Sequence, residues 1–169
     1  RESVLICSTG IIGDLPNEMV LKRGIEMAAK QLGAGDTLFQ KSILTTDKVQ
    51  KVVGVRMKFP GGRTATMVGI CKGSGMIAPN MATMLGFIVT DLQVPPAVLK
   101  RALTAAAADT FNSVSVDGDT STNDTLLLLA NGAAGIRISP KGAAYDIFFE
   151  ALHAVCAKLA WKLAEDGEG

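Results

Sequence analysis

A strand–turn–strand pattern near the middle of the 169-residue chain constrains its fold more than any other feature. Apolar residues alternate with glycine or charged residues from Val53 to Phe59, the period of a half-buried strand. Pro60-Gly61-Gly62 then favours a turn, and Thr64 to Ile70 runs back as a second β-favouring segment. The pattern predicts a β-hairpin, so the sheet that contains it is not purely parallel.

Three further apolar runs predict strands. Ser3 to Ser8 is a continuous β-favouring run and predicts a buried strand that ends in a tight turn. Met84 to Val89 predicts another strand. Leu126 to Leu129 is wholly apolar, which is typical of a central strand that is covered on both faces.

Helical spacing of apolar residues predicts three helices. The first carries Leu21, Ile25 and Leu32, and Gly33 is suited to end it. The second begins at Pro95-Pro96, and the third, which is long, is capped by Ser139-Pro140. Since no internal repeat or linker interrupts the chain, we expect one α/β body with helices packed on a mixed sheet.

Composition excludes several classes of protein. The formal charge is +1 and charged residues make up 20% of the chain, without the basic excess of nucleic-acid or membrane-surface binders. A chain of this length buries about 70% of its extended surface, enough for a core without disulfides. The uncharged stretch from Gly73 to Thr90 is too rich in glycine, threonine and proline to predict a membrane-spanning helix.

Cysteine and histidine usage argues against a zinc site. Cys7, Cys71 and Cys156 lie far apart, and His153 is the only histidine. Each cysteine lies in an apolar stretch, which predicts buried, reduced thiols and a reducing compartment such as the cytoplasm or an organelle matrix. His153 lies within a predicted helix and is expected to be a packed or surface residue.

Two loops allow more than one interpretation. Ser8 to Gly13 follows a predicted strand, but a dinucleotide loop requires glycine where Ser8 stands. Two other interpretations of this segment remain. It is either a purely structural tight turn, or a turn whose N–H groups bind developing negative charge in a cleft. Asp117 to Asp124 resembles a calcium loop but has Thr122 at the sixth position, where glycine is required. Two interpretations of this segment remain: a polar loop whose side chains cap neighbouring backbone groups, or one wall of a catalytic cleft.

A third loop, from Lys72 to Leu85, has the sequence KGSGMIAPNMATML. It is not a phosphate-binding Walker loop, because Lys72 precedes the glycines. Thr83 stands where a buried strand is predicted to begin, and a threonine hydroxyl there is by default structural. Pattern and composition alone therefore give no function.

The chain closely resembles the ornithine acetyltransferase family, also called bifunctional glutamate N-acetyltransferases of arginine biosynthesis. The resemblance is carried by KGSGMIAPNMATML, by SVDGDTSTNDT from Ser115 to Thr125, by STGIIG from Ser8 to Gly13 and by the closing DGEG. These motifs follow the family's order and approximate spacing over essentially this whole chain. The chain itself corresponds to the central part of the family's length.

The resemblance implies the layered α/β fold of that family and self-cleavage between Ala82 and Thr83. Residues 1–82 would then be the end of an α fragment and residues 83–169 the start of a β fragment. Two α and two β fragments would assemble into a heterotetramer. The resemblance implies no metal or organic cofactor, and it leaves open whether acetyl-CoA is an alternative acetyl donor.

Site residues also follow from the resemblance. Thr83 matches the nucleophile, and Thr9 and Gly10 match the pair that forms the oxyanion hole. Thr45, Lys72 and Glu168, together with Thr83, match positions that contact substrate. The implied partners are N-acetylornithine and glutamate.

The chemistry of these residue types agrees with the implied roles. A threonine hydroxyl needs a base to become a nucleophile. Cleavage creates an α-amine on the same residue, and its pKa of about 7.7–8.0 leaves roughly a tenth of it as free base at pH 7. The implied reaction is acetyl transfer through an acetyl-threonine. The alternatives are an N-terminal-nucleophile amidohydrolase or aminopeptidase, or a fragment without turnover.

Overall fold

The computed structural model describes residues 4–11, 13–33, 36–78 and 84–167, which form four α-helices and four strands. The helices are α1 (Glu18–Lys30), α2 (Asp36–Ser42), α3 (Pro96–Ala108) and α4 (Ala143–Glu165). The strands are β1 (Lys51–Lys58), β2 (Thr64–Lys72), β3 (Leu85–Thr90) and β4 (Thr125–Ala130). Short 3₁₀ turns cover Pro60–Gly62 and Phe111–Ser113.

The four strands form one mixed sheet in the order β1-β2-β3-β4. β1 and β2 are antiparallel, β2 and β3 are antiparallel, and β3 and β4 are parallel. The hairpin prediction is therefore confirmed. Gly61 and Gly62 have φ of 77° and 75°, a backbone conformation that glycine adopts without strain.

α4 covers one face of the sheet, where it packs against β1 and β2, and α3 packs beside it. The side chains that α4 buries recur at helical spacing: Phe148, Leu152, Val155, Leu159 and Leu163. They meet the alternate side chains of the strands that point to this face: Val53, Met57, Met67, Cys71 and Ile88. The predicted α/β class, with helices packed on a mixed sheet, is confirmed.

Two of the strand predictions are wrong. Residues 4–8 form no strand, and Leu5 and Ile6 are 62% and 88% exposed. β-propensity favours an extended chain but cannot supply a partner strand, and no strand pairs with this segment among the described residues. β4 lies at the edge of the described sheet rather than at its centre, and Leu129 is 45% exposed. A run of leucines indicates that the segment is hydrophobic, but it does not indicate whether strands lie on one side of it or on both.

The predicted helices exist, but two of their boundaries differ. α1 is capped by Asn17, whose Oδ1 accepts hydrogen bonds from the N–H groups of Met19 and Val20. The helix ends at Lys30, with Gln31 as its C-cap, rather than at Gly33. α4 begins after Gly142, so Ser139-Pro140 does not cap it. The patterns located the apolar faces but not the ends: the Asn17 side chain begins α1, and Gly142 begins α4 without a side-chain cap.

The first part of the chain is mostly exposed. α1 buries none of its residues, and Leu21 and Ile25 are 49% and 68% exposed.

Cys7 is half-buried rather than buried, whereas Cys71 and Cys156 are buried as expected, and all three thiols are free. Burial raises the pKa of both core thiols to about 12. Within the described ranges, none of the helices is long and apolar enough to cross a membrane.

Gly69 is required where α4 approaches β2. A Cβ at this position would lie 2.6 Å from Val155 Cγ1 and 2.7 Å from Leu159 Cδ1, both closer than van der Waals contact. The Val155 branch is stiff and both partners are buried, so neither moves away easily.

We therefore predict that Gly69→Ala destabilises the fold by about 1–3 kcal/mol through overpacking. Gly54→Ala is the matched control on the neighbouring strand, because its Cβ would meet only Val68 Cγ2 at 3.9 Å. Urea unfolding of both variants measures the difference. Equal stability of the two variants would contradict the packing argument.

Candidate functional site

A cavity of about 390 Å³ opens where three separate segments of the chain meet. One segment is Thr9 to Ile11, the second is Thr45-Thr46, and the third runs from Lys72 to Met76. The volume falls within the range that small-molecule sites occupy. This cavity is the candidate site, because it brings together side chains that are distant in sequence.

Lys72 is the only charged residue that lines the cavity, among the described residues. It ends β2 opposite Leu85 in the strand register, and its side chain is wholly buried. Its Nζ donates a long hydrogen bond of 3.4 Å to Thr45 Oγ1. Burial lowers the pKa of Lys72, although the carboxylates of Asp47 and Asp124 oppose the shift. A desolvated ammonium with one long hydrogen bond is a strong potential site for an anion.

The glycine-rich loop that follows Lys72 is held by the polar loop that contains Asp117. The Asp117 carboxylate accepts hydrogen bonds from the N–H groups of Met76 and of Ile77, the latter at 2.8 Å. Met76 has a φ of 56°, uncommon for a residue other than glycine, and the carboxylate stabilises this turn. Two sequence motifs about forty residues apart thus form one structural unit.

Thr46 links the second cavity segment to the third. Its Oγ1 lies 2.6 Å from Ser74 Oγ. This bond, with the one between Lys72 and Thr45, fixes the 45–46 segment against the glycine-rich loop.

Asp124 lies beside the strand that follows the predicted cleavage point. Its Oδ1 accepts a hydrogen bond of 2.8 Å from the N–H of Met84. Burial raises the pKa of Asp124, while that hydrogen bond and the charge of Lys72 oppose the shift. The carboxylate therefore fixes the start of β3 within electrostatic range of the cavity lysine.

Thr9 and Gly10 lie on the rim of the cavity, in a segment without regular secondary structure. Asn123 Nδ2 donates a hydrogen bond of 3.2 Å to the carbonyl oxygen of Ser8, which attaches this segment to the polar loop. Thr9 is half-buried and Gly10 is exposed. The segment therefore lies at a cleft, while the binding of negative charge by its N–H groups stays a prediction.

Four of the site residues singled out from the sequence, namely Thr9, Gly10, Thr45 and Lys72, line this one cavity. Ala82, Thr83 and Glu168 lie outside the described residues, so their placement stays a prediction, as does the division into fragments at residue 82.

No group of His, Cys, Asp and Glu within the described part of the chain is suited to hold a metal ion. His153 lies on the surface, 3.1 Å from an Asp109 carboxylate oxygen.

An ion cluster behind the cavity was missed by the sequence reasoning. Lys51 Nζ lies 2.7 Å from Asp47 Oδ1 and 2.5 Å from Asp166 Oδ2, and all three side chains are at least 96% buried. One signal was present: Lys51 shares the alternation of Val53 and Met57, so it falls on the core-facing side of β1. A lysine at a core-facing position of a strand predicts a buried carboxylate that neutralises it. Asp166 is too distant in sequence to be identified as that carboxylate.

The comparisons with known proteins agree with one another. A model of the ArgJ family matches residues 1–169. An arginine biosynthesis bifunctional protein ArgJ from Lactococcus lactis is 47% identical over 170 residues, which covers 99% of this chain and 42% of that protein. A protein of the same description from Thermotoga neapolitana is also 47% identical, with the same coverage. This chain therefore spans about 42% of the length of these curated relatives.

Solved structures are also similar to this chain. A crystal structure of an arginine biosynthesis bifunctional protein argJ from Bacillus halodurans is 40% identical over 49% of this chain and 39% of its own, with a TM-score of 0.48.

We predict that the two buried lysines affect stability in opposite directions. Lys72→Met removes a desolvated charge and should stabilise the fold by about 1 kcal/mol, whereas Lys51→Met leaves two buried carboxylates unpaired and should destabilise it by about 3–5 kcal/mol. Urea unfolding of both variants at neutral pH measures the two effects.

The pH dependence provides a second check. Because the pKa of Lys72 is lowered in the folded state, the unfolded chain binds more protons between the two pKa values, and native stability rises with pH there. The advantage of Lys72→Met should therefore shrink as the pH rises towards about 10.4, the ordinary lysine pKa. An advantage that is constant with pH, or a loss of stability at neutral pH, would contradict the assignment.

Proposed function

Because this chain belongs to the ArgJ family, we propose that its cavity is part of an acetyl-transfer site of arginine biosynthesis, which moves an acetyl group from N-acetylornithine to glutamate. The observation that carries the proposal is the meeting of Thr9, Gly10, Thr45 and Lys72 at one cavity. Both proposed substrates are small amino acids with a carboxylate, and the cavity has a buried ammonium to receive one.

Thr83 is the proposed nucleophile, released as a new N-terminus by cleavage of the Ala82–Thr83 bond. Its Oγ attacks the acetyl carbonyl carbon while its own α-amine takes the hydroxyl proton. The tetrahedral oxyanion accepts hydrogen bonds from the Thr9 hydroxyl and the Gly10 N–H. When the C–N bond breaks, the proton passes to the leaving amine of ornithine and the acetyl group remains on Thr83.

The second half of the reaction reverses these steps with glutamate. The amine of glutamate attacks the acetyl-threonine, its proton passes to the Thr83 amine, and the hydroxyl of Thr83 is restored. Lys72 binds a carboxylate of either substrate, and Glu168 binds the side-chain ammonium of N-acetylornithine in the first half of the reaction. No metal or organic cofactor takes part, and acetyl-CoA as an alternative donor can be tested in the same assay.

Acetyl transfer by the product of the complete gene is the direct test of the proposal. Labelled N-acetylornithine with glutamate should give labelled N-acetylglutamate, at rates that form parallel lines when both substrates are varied. Release of labelled acetate alone would assign hydrolysis instead. The same assay on residues 1–169 tests whether this part turns over by itself.

We predict that Thr83→Ala stays uncut and inactive, because both cleavage and transfer use this hydroxyl. The unsubstituted protein should give a fragment that begins Thr83-Met84-Leu85, and N-acetylornithine alone should add one acetyl mass to it. N-terminal sequencing and intact mass provide the measurements. Thr104→Ala, on the exposed side of α3, is the matched control and should be cut and acetylated normally. A fragment with a different N-terminus would refute the assignment.

We predict that Thr9→Ala lowers the transfer rate about 10²–10³-fold, because it removes one donor to the oxyanion. Thr9→Ser keeps the hydroxyl and should retain most of the rate. Fragment masses are checked first, because cleavage also passes through an oxyanion. A Thr9→Ala protein that melts at a much lower temperature yet turns over normally when folded would show that Thr9 only shapes the chain.

A further inference from the structure

The ion cluster of Asp47, Lys51 and Asp166 touches each chain segment that carries a proposed substrate-contacting residue other than the nucleophile. Asp47 lies two residues after Thr45, and it accepts a hydrogen bond of 2.7 Å from the N–H of Gly73, the residue after Lys72. Asp166 lies two residues before Glu168 in the sequence. The cluster itself does not line the cavity.

The Asp47 carboxylate uses both of its oxygens to join two cavity segments. Oδ1 accepts from the Gly73 N–H and from Lys51 Nζ, and Oδ2 accepts from the N–H of Thr45 at 3.2 Å. Burial by itself raises the pKa of Asp47, but these bonds and Lys51 outweigh it and hold the pKa below its usual value. The carboxylate is therefore ionised at neutral pH and sets the distance between Thr45 and the end of β2.

Asp166 anchors the other end of the cluster. It is the C-cap of α4, and its Oδ2 accepts from Lys51 Nζ and from the N–H of Lys48 at 3.1 Å. The segment 45–48 is thus held at one end by a carboxylate of its own and at the other end by a carboxylate of the longest helix. The bond from Lys51 Nζ is the shorter of the two that Asp166 accepts, and both of its side chains are shielded from solvent.

The cluster also places countercharge near the cavity lysine. Two carboxylates and one ammonium give it a net charge of −1, and the negative charge of Asp47 favours the protonated form of Lys72. Buried ion clusters of this kind add little net stability compared with apolar replacements, so stability alone does not account for this one.

We propose that Asp47, Lys51 and Asp166 act together as positioning residues that fix Thr45 and Lys72 in the geometry that binds the substrate carboxylate. The proposal rests on the acetyl-transfer function proposed above. It goes beyond that function because none of these three side chains contacts the substrate or the reacting atoms. Their effect should therefore be seen in substrate binding and not in the chemical step.

Asp47→Asn and Asp166→Asn, made in the product of the complete gene, test the proposal. An amide can replace only one carboxylate oxygen as acceptor, so Asp47→Asn turns an NH₂ group towards either the Thr45 N–H or the Gly73 N–H. Each variant should raise KM for N-acetylornithine and for glutamate about tenfold or more, a loss equivalent to about 1.4 kcal/mol, while kcat stays within about threefold.

Leu152→Ala is the control for loss of stability alone. Leu152 is wholly buried in α4 but lies about 21 Å along the helix axis from Asp166. This variant should melt at a lower temperature and keep the KM of the unsubstituted protein, when assayed well below its melting point. An unchanged KM in both Asn variants, or an equal rise in Leu152→Ala, would overturn the proposal.

A readout that is independent of turnover separates this proposal from the proposed function. Amide hydrogen exchange across residues 44–48 and 72–76 should be faster in Asp166→Asn than in Leu152→Ala at matched stability. If the unsubstituted protein transfers no acetyl group, the proposed function fails, and hydrogen exchange alone decides whether the cluster positions the cavity. Equal exchange in the two variants would then overturn the positioning role. If Asp47→Asn does not fold, both KM and amide hydrogen exchange are measured on Asp166→Asn alone.

Discussion

Much of the site depends on one electrostatic requirement, that the buried ammonium of Lys51 must be neutralised. A lone charge in a protein interior costs several kcal/mol, so a lysine on the core-facing side of β1 requires carboxylates at hydrogen-bond distance. Asp47 and Asp166 supply them at 2.7 and 2.5 Å. One comes from the loop before β1 and the other from the end of α4, so this pairing joins the sheet, the loop and the helix at a single point.

The two faces of the sheet have different roles because their side chains alternate. On one face, α4 packs so closely on β2 that a glycine is required at position 69. Lys72 belongs to the alternate set of β2 residues, which does not face α4, and there the chain leaves room for a cavity between the sheet end and the segments around Thr9 and Thr45. Dense packing on one side thus provides a rigid support for a concave site on the other.

Local patterns predicted most of the elements, although not the short helix α2, and tertiary contacts decided what the patterns could not. The alternation from Val53 to Phe59 and the helical spacing from Phe148 to Leu163 correspond to observed elements because burial on one face is a local periodic signal. The predicted strand at residues 4–8 failed because strand formation requires a partner. Lys72 and Thr45 came from the resemblance, and their meeting was not visible in spacing. The pair of Lys51 and Asp166, 115 residues apart, has no local signature at all.

The two buried lysines show how similar side chains serve different purposes in neighbouring positions. Lys51 donates to the carboxylates of Asp47 and Asp166, so its charge is neutralised within the protein. Lys72 has a long bond to a hydroxyl, and its pKa is lowered by burial, so its environment disfavours the charge that it carries. A ligand carboxylate would supply the missing counterion, which converts the unfavourable burial of Lys72 into binding affinity. An anion is therefore the class of ligand that we expect this cavity to favour, because the charge of Lys72 is less completely paired than that of Lys51.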